Sequence, residues 1–276
     1  MSLRSIPKKG ELIRLNKFIA QSGLCSRREA DVRIAKGEVT VNGKLVTEMG
    51  LKVTMEDKVE VEGKALNPEP PVYLLLNKPK NTITTTSDEH GRNTVTDEIE
   101  HATGYRVYPV GRLDRNTTGM LLLTNDGDLA YRLMHPSYKV RKTYEVVSER
   151  ALTDDELAGF QKGIPLDDGV AKAHKVQGFA DAPNWFQLSV FEGRNRLIRR
   201  MVEYYGTEVT KLKRIQYAGL DLKGVPPGRW RFLRDKEITD LRVLVKLKPL
   251  EKVVTVKKAA LNNSKKKSVK SVSSFI

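Results

Sequence analysis

Residues 111–127 read GRLDRNTTGMLLLTNDG and place a polar loop directly before an apolar run. The run 120–123 predicts a buried strand, and a second strand-like segment, 107–110, precedes the loop. Asp114 is therefore predicted to lie in a tight loop between two strands, among arginines, threonines and glycines. Such a loop can hold a reactive carboxylate, although an Asp in a polar turn more often only bonds its own backbone.

The composition points to two globular parts in a reducing compartment. The chain has 276 residues, and its 49 Lys plus Arg against 34 Asp plus Glu give a net charge of +15. No stretch approaches the roughly 18 apolar residues of a membrane span, and the first ten residues lack the apolar core of a secretory signal. With Cys25 as its one cysteine, the chain has no disulfide framework. We expect a cytoplasmic protein with no membrane partner.

The positive charge is concentrated, which favours a polyanionic partner. Residues 248–276 carry eight lysines and a single acid, Glu251, among many Ser and Asn. This segment predicts a disordered basic tail that either adds salt-sensitive contacts to phosphate or is simply solvated.

The first sixty residues predict a small mixed domain. Leu15, Phe18 and Ile19 lie at helical spacing before Gly23, and Ser26-Arg27-Arg28-Glu29 has the pattern of a capping box for a second helix that ends near residues 36–37. Asn42-Gly43 between alternating apolar residues predicts a hairpin. The prolines of residues 67–71 then interrupt both periodicities and mark a domain boundary.

The part that follows mixes strands and helices without regular alternation and without a glycine-rich nucleotide loop. Its fold class is therefore predicted as α+β with a mainly antiparallel sheet. The predicted strands are 72–76, 107–110, 120–124, 143–147 and 186–191, and the predicted helices are 94–99, 128–134, 153–162 and 197–205.

Two resemblances now combine these segments. Residues 13–65 resemble the S4 (αL-type) RNA-binding domain. Their central part reads LNKFIAQSGLCSRREADVRIAKGEVTVNGKLV. Three further segments resemble, in order, the motifs of pseudouridine synthases of the RsuA/RluB/RluE/RluF type. They are residues 111–127, KTYEV at 142–146 and EGRNRLIRRM at 192–201. Ordered co-occurrence is far more specific than any one motif. The implied domains are an arm at 1–12, an S4-like domain at 13–66, a linker at 67–71, a catalytic domain at 72–247 and the tail.

The resemblance implies site-specific isomerisation of uridine to pseudouridine in RNA, without cofactor or metal. Asp114 corresponds to the catalytic carboxylate, acting as a nucleophile at the sugar or base or as a base at the ribose. Tyr144 corresponds to the aromatic residue that stacks on the target base. Arg199 corresponds to the arginine that pairs with the aspartate, and a bidentate pair would also orient the carboxylate.

Further basic and polar residues are expected to contact RNA. In the S4-like domain they are Lys17, Arg27, Arg28 and Lys36, and in the larger domain Arg112, Arg115, Arg194, Asn195, Arg196 and Arg200. Two positions depart from the family pattern. Asn81 replaces a usual glycine after Lys78-Pro79, and Leu197 replaces a usual polar residue.

Large-subunit (23S) ribosomal RNA or its assembly intermediate is the favoured substrate, and no required protein partner is evident. A small-subunit rRNA or tRNA enzyme is the alternative within the class. A non-catalytic RNA-binding assembly factor is the alternative outside it, and the Asp114, Tyr144 and Arg199 set argues against it.

Overall fold

The computed structural model describes residues 10–250. Residue contacts divide the chain into two compact units. The described part of the first unit comprises residues 10–72, 101–107 and 248–250, and the second comprises Tyr73–Glu100 and Tyr108–Leu247. Most of the predicted N-terminal arm and basic tail lies outside the described residues.

The described residues of the first unit form two short helices and six short strands. In chain order they are β1 (Ile13–Arg14), α1 (Leu15–Gln21), α2 (Arg27–Ala35), β2 (Val39–Val41), β3 (Lys44–Val46), β4 (Lys52–Val53), β5 (Val59–Val61) and β6 (Lys64–Ala65). Strands β3-β2-β5-β6 form one antiparallel sheet, and β1 pairs with β4. The side chains of both helices and the sheet share one core around Phe18, Ile19 and Ile34.

The Ser26 cap and the hairpin turn of this unit form as predicted, but the Glu29 half of the predicted capping box does not. The Ser26 hydroxyl accepts the amide of Glu29 and so begins α2, while the Glu29 carboxylate approaches Arg33 at 3.8 Å instead of completing the box. Asn42 and Gly43 have φ of 51° and 78°, which are the positive values that a two-residue hairpin turn requires.

The second unit contains nine strands and four α-helices among its described residues. They are β7 (Tyr73–Lys78), β8 (Tyr108–Pro109), β9 (Thr118–Thr124), α3 (Gly127–Met134), β10 (Lys142–Ser148), α4 (Asp154–Lys162), β11 (Lys175–Gly178), β12 (Trp185–Val190), α5 (Leu197–Glu203), β13 (Val209–Tyr217), β14 (Leu220–Asp221), β15 (Trp230–Phe232) and α6 (Asp235–Leu244). The α+β class predicted from the sequence is confirmed.

One sheet organises this unit, with the strand order β11-β12-β10-β13-β9-β7-β15. Every pairing along it is antiparallel except β13 with β9, and outside this order β8 pairs with β9 and β14 with β13. Gly119 makes the parallel contact possible, because a Cβ there would overlap the backbone of Arg214 on β13. The loop that carries Asp114 therefore leads straight into the centre of the sheet.

One predicted helix is wrong. Residues 94–99 were expected to be helical, but only Asp97–Ile99 form a 3-10 turn. Thr94 instead forms a bridge with Ile83, and its amide donates to the Asp97 carboxylate at 2.7 Å. The side chain thus caps a short turn where periodicity indicated a full helix. Within residues 10–250, no helix is long and apolar enough to cross a bilayer.

Candidate active site

Asp114 and Tyr144 line one cleft of the second unit, with a volume of about 1100 Å³. Asp114 comes from the loop between β8 and β9, and Tyr144 from β10. The other walls come from residues 83–86, 109–115 and 192–196 and from β13. The cleft therefore brings together the three segments that the sequence singled out.

Side chains on both sides fix the loop that carries Asp114. The Thr84 hydroxyl donates to the Leu113 carbonyl at 2.7 Å and accepts the Leu113 amide at 3.2 Å. On the other side, the Lys78 ammonium donates to the carbonyls of Arg115 at 3.1 Å and Thr117 at 2.9 Å. The backbone at Asp114 is thus held from before and after, which orients the carboxylate before any ligand binds.

Lys78 is fully buried at the end of β7. Burial lowers its pKa to about 8, while the charges of Asp114 and Glu98 oppose that shift. Lys78 was named in the sequence analysis only in the dipeptide Lys78-Pro79 and was not predicted to belong to the site. Its signal is a lysine that ends a strand whose preceding residues are almost all apolar.

Arg199 is the cation nearest to Asp114 among the described ion pairs. Its Nε lies 3.7 Å from Asp114 Oδ2, and its Nη1 donates to the Val209 carbonyl at 3.0 Å. The predicted pairing is present, but the bidentate geometry is not, because one face of the guanidinium is used by the backbone of β13. The Asp114 side chain stays 40% exposed and the Arg199 side chain only 13%.

Tyr144 lies on the floor of the cleft and is buried. In the sheet it faces Leu188 on β12 and Arg214 on β13. Tyr217, also a lining residue, donates its hydroxyl to the Leu133 carbonyl at 2.9 Å, and burial raises its pKa. The floor thus presents one aromatic side chain near Asp114 and a second whose hydroxyl is already engaged.

A second buried lysine, Lys142, lines the same floor. Its ammonium donates to the Phe191 carbonyl at 3.1 Å and lies 5.7 Å from the centre of the Tyr217 ring. Burial lowers its pKa to about 8, with a further lowering from the charge of Arg214, while the charge of Glu192 opposes both. Lys142 is the first residue of the KTYEV motif and was not predicted to belong to the site.

The predicted RNA contacts of this unit divide into two groups. Arg112, Arg115, Asn195 and Arg196 are exposed and line the cleft. Arg194 and Arg200 instead both bond Asp168, with Arg194 Nη1 at 2.6 Å from Oδ1 and Arg200 Nη2 at 2.9 Å from Oδ2.

Arg194 has further protein partners. It also donates to Glu192 and to the carbonyls of residues 168–170. Contact of Arg194 and Arg200 with RNA stays a prediction, since both side chains already bind Asp168.

The predicted contacts of the first unit belong to α1 and α2. Arg27, Arg28 and Lys36 are exposed at the two ends of α2, and Lys17 is half-buried on α1. Arg27 reaches the Asn16 side chain at 3.5 Å. Three of the four charges are thus open to a polyanion.

Comparisons with known proteins agree with these features. The sequence profile of the RNA pseudouridylate synthase family matches residues 72–204, and that of the S4 domain matches residues 13–59. Ribosomal large subunit pseudouridine synthase B of Bacillus subtilis is 44% identical over 235 residues, which cover 84% of this chain and 96% of the relative. The chain belongs to the RNA pseudouridine synthase family.

Other similar proteins fit this synthase family. The dual-specificity RNA pseudouridine synthase RluF of Salmonella typhi is 40% identical over 84% of this chain and 79% of the relative. A solved pseudouridylate synthase shares 28% identity with a TM-score of 0.59, over 83% of this chain and 99% of that one. The resemblance predicted from the ordered motifs is confirmed.

The two departures from the usual synthase pattern have clear structural outcomes. Asn81 takes a φ of 64°, so the turn after Lys78-Pro79 keeps its left-handed residue without glycine. Leu197 is buried at the start of α5, where it packs as an apolar residue.

Proposed function

We propose that this synthase isomerises a specific uridine in large-subunit rRNA, with Asp114 as the catalytic carboxylate. The observation that carries the proposal is the Asp114 loop, which is fixed on both sides, faces a cleft and lies beside Arg199. The similarity to a large-subunit rRNA enzyme over 84% of the chain supports the choice of substrate.

The chemistry needs no other reagent. The C1′–N1 bond of the uridine breaks, the uracil turns, and a C1′–C5 bond forms. C5 then loses its proton and N1 gains one, so atoms and electrons balance. Asp114 can attack the sugar, attack the base or remove a ribose proton, and each role needs an ionised oxygen that reaches the nucleotide. Arg199 places a positive charge beside that oxygen, with its Nε 3.7 Å from Oδ2.

The target uridine must leave its RNA helix to reach Asp114. A cleft of about 1100 Å³ has room for one extruded nucleotide. Tyr144 offers an aromatic face to the base, and Arg112 and Arg115 flank Asp114 at positions open to the displaced backbone. The S4-like unit, through Arg27, Arg28 and Lys36, adds affinity for structured RNA, which supports a site of action in the cytoplasm, beside the ribosome.

A second RNA substrate is the alternative that one observation favours, because the Salmonella typhi relative is described as dual-specificity. Chemical mapping of pseudouridines in rRNA and tRNA, with and without the gene, separates these substrates. We expect a 23S site to disappear on deletion and to return with the wild-type gene but not with Asp114→Asn.

Three outcomes of the mapping contradict parts of the proposal. A loss confined to 16S rRNA or tRNA contradicts the substrate, and restoration by Asp114→Asn contradicts the role of the carboxylate. No lost site at all leaves a non-catalytic RNA-binding protein as the better description.

A further inference from the structure

Arg214 is a buried arginine in the wall of the cleft, at the centre of β13. It is 2% exposed, yet it lines the cleft that holds Asp114 and Tyr144. Its Nε donates to the Met120 carbonyl at 2.7 Å, and this is the one acceptor that the described residues give the guanidinium. Nη2 is buried without a hydrogen-bond partner among them.

A buried guanidinium with unused donors is costly, so its persistence calls for a reason. Part of the compensation is visible, because the guanidinium carbon lies 4.8 Å from the centre of the Tyr217 ring. The ring contact leaves Nη2 without a hydrogen-bond acceptor among the described residues. The donor capacity of Arg214 is therefore available to a ligand in the cleft.

The neighbouring lysine cannot fill this role as well. The Lys142 ammonium is directed to the Phe191 and Val140 carbonyls at 3.1 and 3.4 Å. The pKa of Lys142 falls to about 8 through burial and the charge of Arg214, whereas an arginine stays charged at every relevant pH. Arg214 is thus the buried cation in this wall of the cleft that keeps a donor unused.

The position of Arg214 favours the base of the nucleotide over its phosphate. Arg214 faces Tyr144 across the sheet, and we assign Tyr144 to the aromatic contact with the base. Phosphate is met more readily by Arg112 and Arg115, which are exposed at the same cleft. What a uracil presents to a buried donor is a carbonyl oxygen.

We propose that Arg214 is a further catalytic residue that donates to a uracil carbonyl while the glycosidic bond breaks; this rests on the proposed function. When C1′–N1 breaks, its electron pair passes to the uracil and is shared by N1, O2 and O4. A donor already fixed beside one of these oxygens stabilises that charge without reorganisation. Arg214 itself gains and loses no proton, and C5 then bonds C1′ as described above.

The test uses an RNA that carries the mapped target as uridine, 2-thiouridine or 4-thiouridine, because sulfur accepts hydrogen bonds more weakly than oxygen. Single-turnover rates are measured for the wild type, Arg214→Met and Arg231→Met. Arg231 is an ion-paired arginine outside the cleft lining and serves as the control. Thermal unfolding shows that each variant is folded at the assay temperature.

We expect one thio substitution to slow the wild type and Arg231→Met by about tenfold. Arg214→Met should convert uridine on the order of 100-fold more slowly at saturating RNA, and the thio substitution should slow it no further. An equal thio effect in Arg214→Met, or a loss in RNA affinity alone, overturns the inference and indicates packing or phosphate contact.

Two further results separate a failure of this inference from a failure of the proposed function or of folding. If the wild type does not convert unmodified uridine, the proposed function itself fails. If Arg214→Met does not fold, Arg214→Leu replaces it and the same two results decide, because leucine likewise has no donor for the uracil oxygen.

Discussion

The Nε of Arg199 lies 3.7 Å from Oδ2 of Asp114, which is ion-pair distance but longer than a hydrogen bond. Arg199 Nε is buried and has no hydrogen-bond partner among the described residues. Its Nη1 is held by the Val209 carbonyl, so the guanidinium is anchored to β13 and turns one donor toward Asp114. The pair is therefore set by the sheet and not by the exposed loop alone.

Arg199→Met should reduce the single-turnover rate by about 100-fold, because the reacting carboxylate of Asp114 loses the positive charge beside it. Arg199→Lys should recover part of that loss. Arg150→Met removes an exposed ion pair with Glu156 outside the cleft lining and is the control. Rates within threefold of the wild type for Arg199→Met would show that the pair is not needed.

Arg194→Met should loosen residues 166–170 without removing a phosphate contact, because Arg194 is saturated by Glu192, Asp168 and loop carbonyls. We expect faster proteolysis of this loop and an unchanged slope of log affinity against log salt. Arg112→Met, an exposed residue beside Asp114, should lower the slope by about 0.9. A comparable drop in slope for Arg194→Met would establish direct contact with RNA.

The exposed start of α2 should supply salt-dependent RNA affinity. Replacing Arg27 and Arg28 by Gln is expected to weaken binding and to reduce the salt slope by about 1.8. Lys44→Gln with Lys52→Gln changes the net charge equally, at exposed positions of β3 and β4. If both double variants lower the slope by the same amount, binding follows overall charge and not this helix.

The stability of the protein should rise between pH 8 and 9.5, in part through Lys142. Its pKa is about 8 in the folded protein and 10.5 as the ordinary value, so in this range the unfolded chain binds a proton that the folded one has lost. The unfolding free energy therefore rises with pH.

Lys142→Met should make that rise less steep, by up to about 1.4 kcal/mol per pH unit. Urea unfolding at pH 7.5 and 9.5 measures the effect, with exposed Lys175→Met as the control. Identical rises of the unfolding free energy in the wild type and in Lys142→Met would mean that burial does not lower the pKa of Lys142.

The sequence was sufficient to predict those structural elements that have strong local signals. Strands such as β7 and β9 contain continuous apolar runs, and the Ser26 cap and the Asn42-Gly43 turn depend on neighbouring residues only. The ordered motifs also placed Asp114, Tyr144 and Arg199 in one site, of which the ion pair and the shared cleft are observed.

Long-range packing accounts for what the sequence analysis missed. In β13 the buried residues are Val209, Leu212, Arg214 and Tyr217, an irregular spacing that accompanies two register shifts against β10. The pattern lacks regular alternation, and a charged residue occupies a core position. Helix α6 was missed for a related reason, since Arg242 is buried there by its ion pair with Asp126 at 2.7 Å.

The release of the uracil C5 hydrogen is the most direct measure of whether Asp114 performs the isomerisation. Large-subunit rRNA transcribed with uridine tritiated at C5 is incubated with the wild type, Asp114→Asn and the control Asp155→Asn, an exposed change on α4. We predict tritium release to water by the wild type and Asp155→Asn, and none above background by folded Asp114→Asn that still binds the RNA. Release by Asp114→Asn at the wild-type rate, or no release by the wild type, would contradict the account.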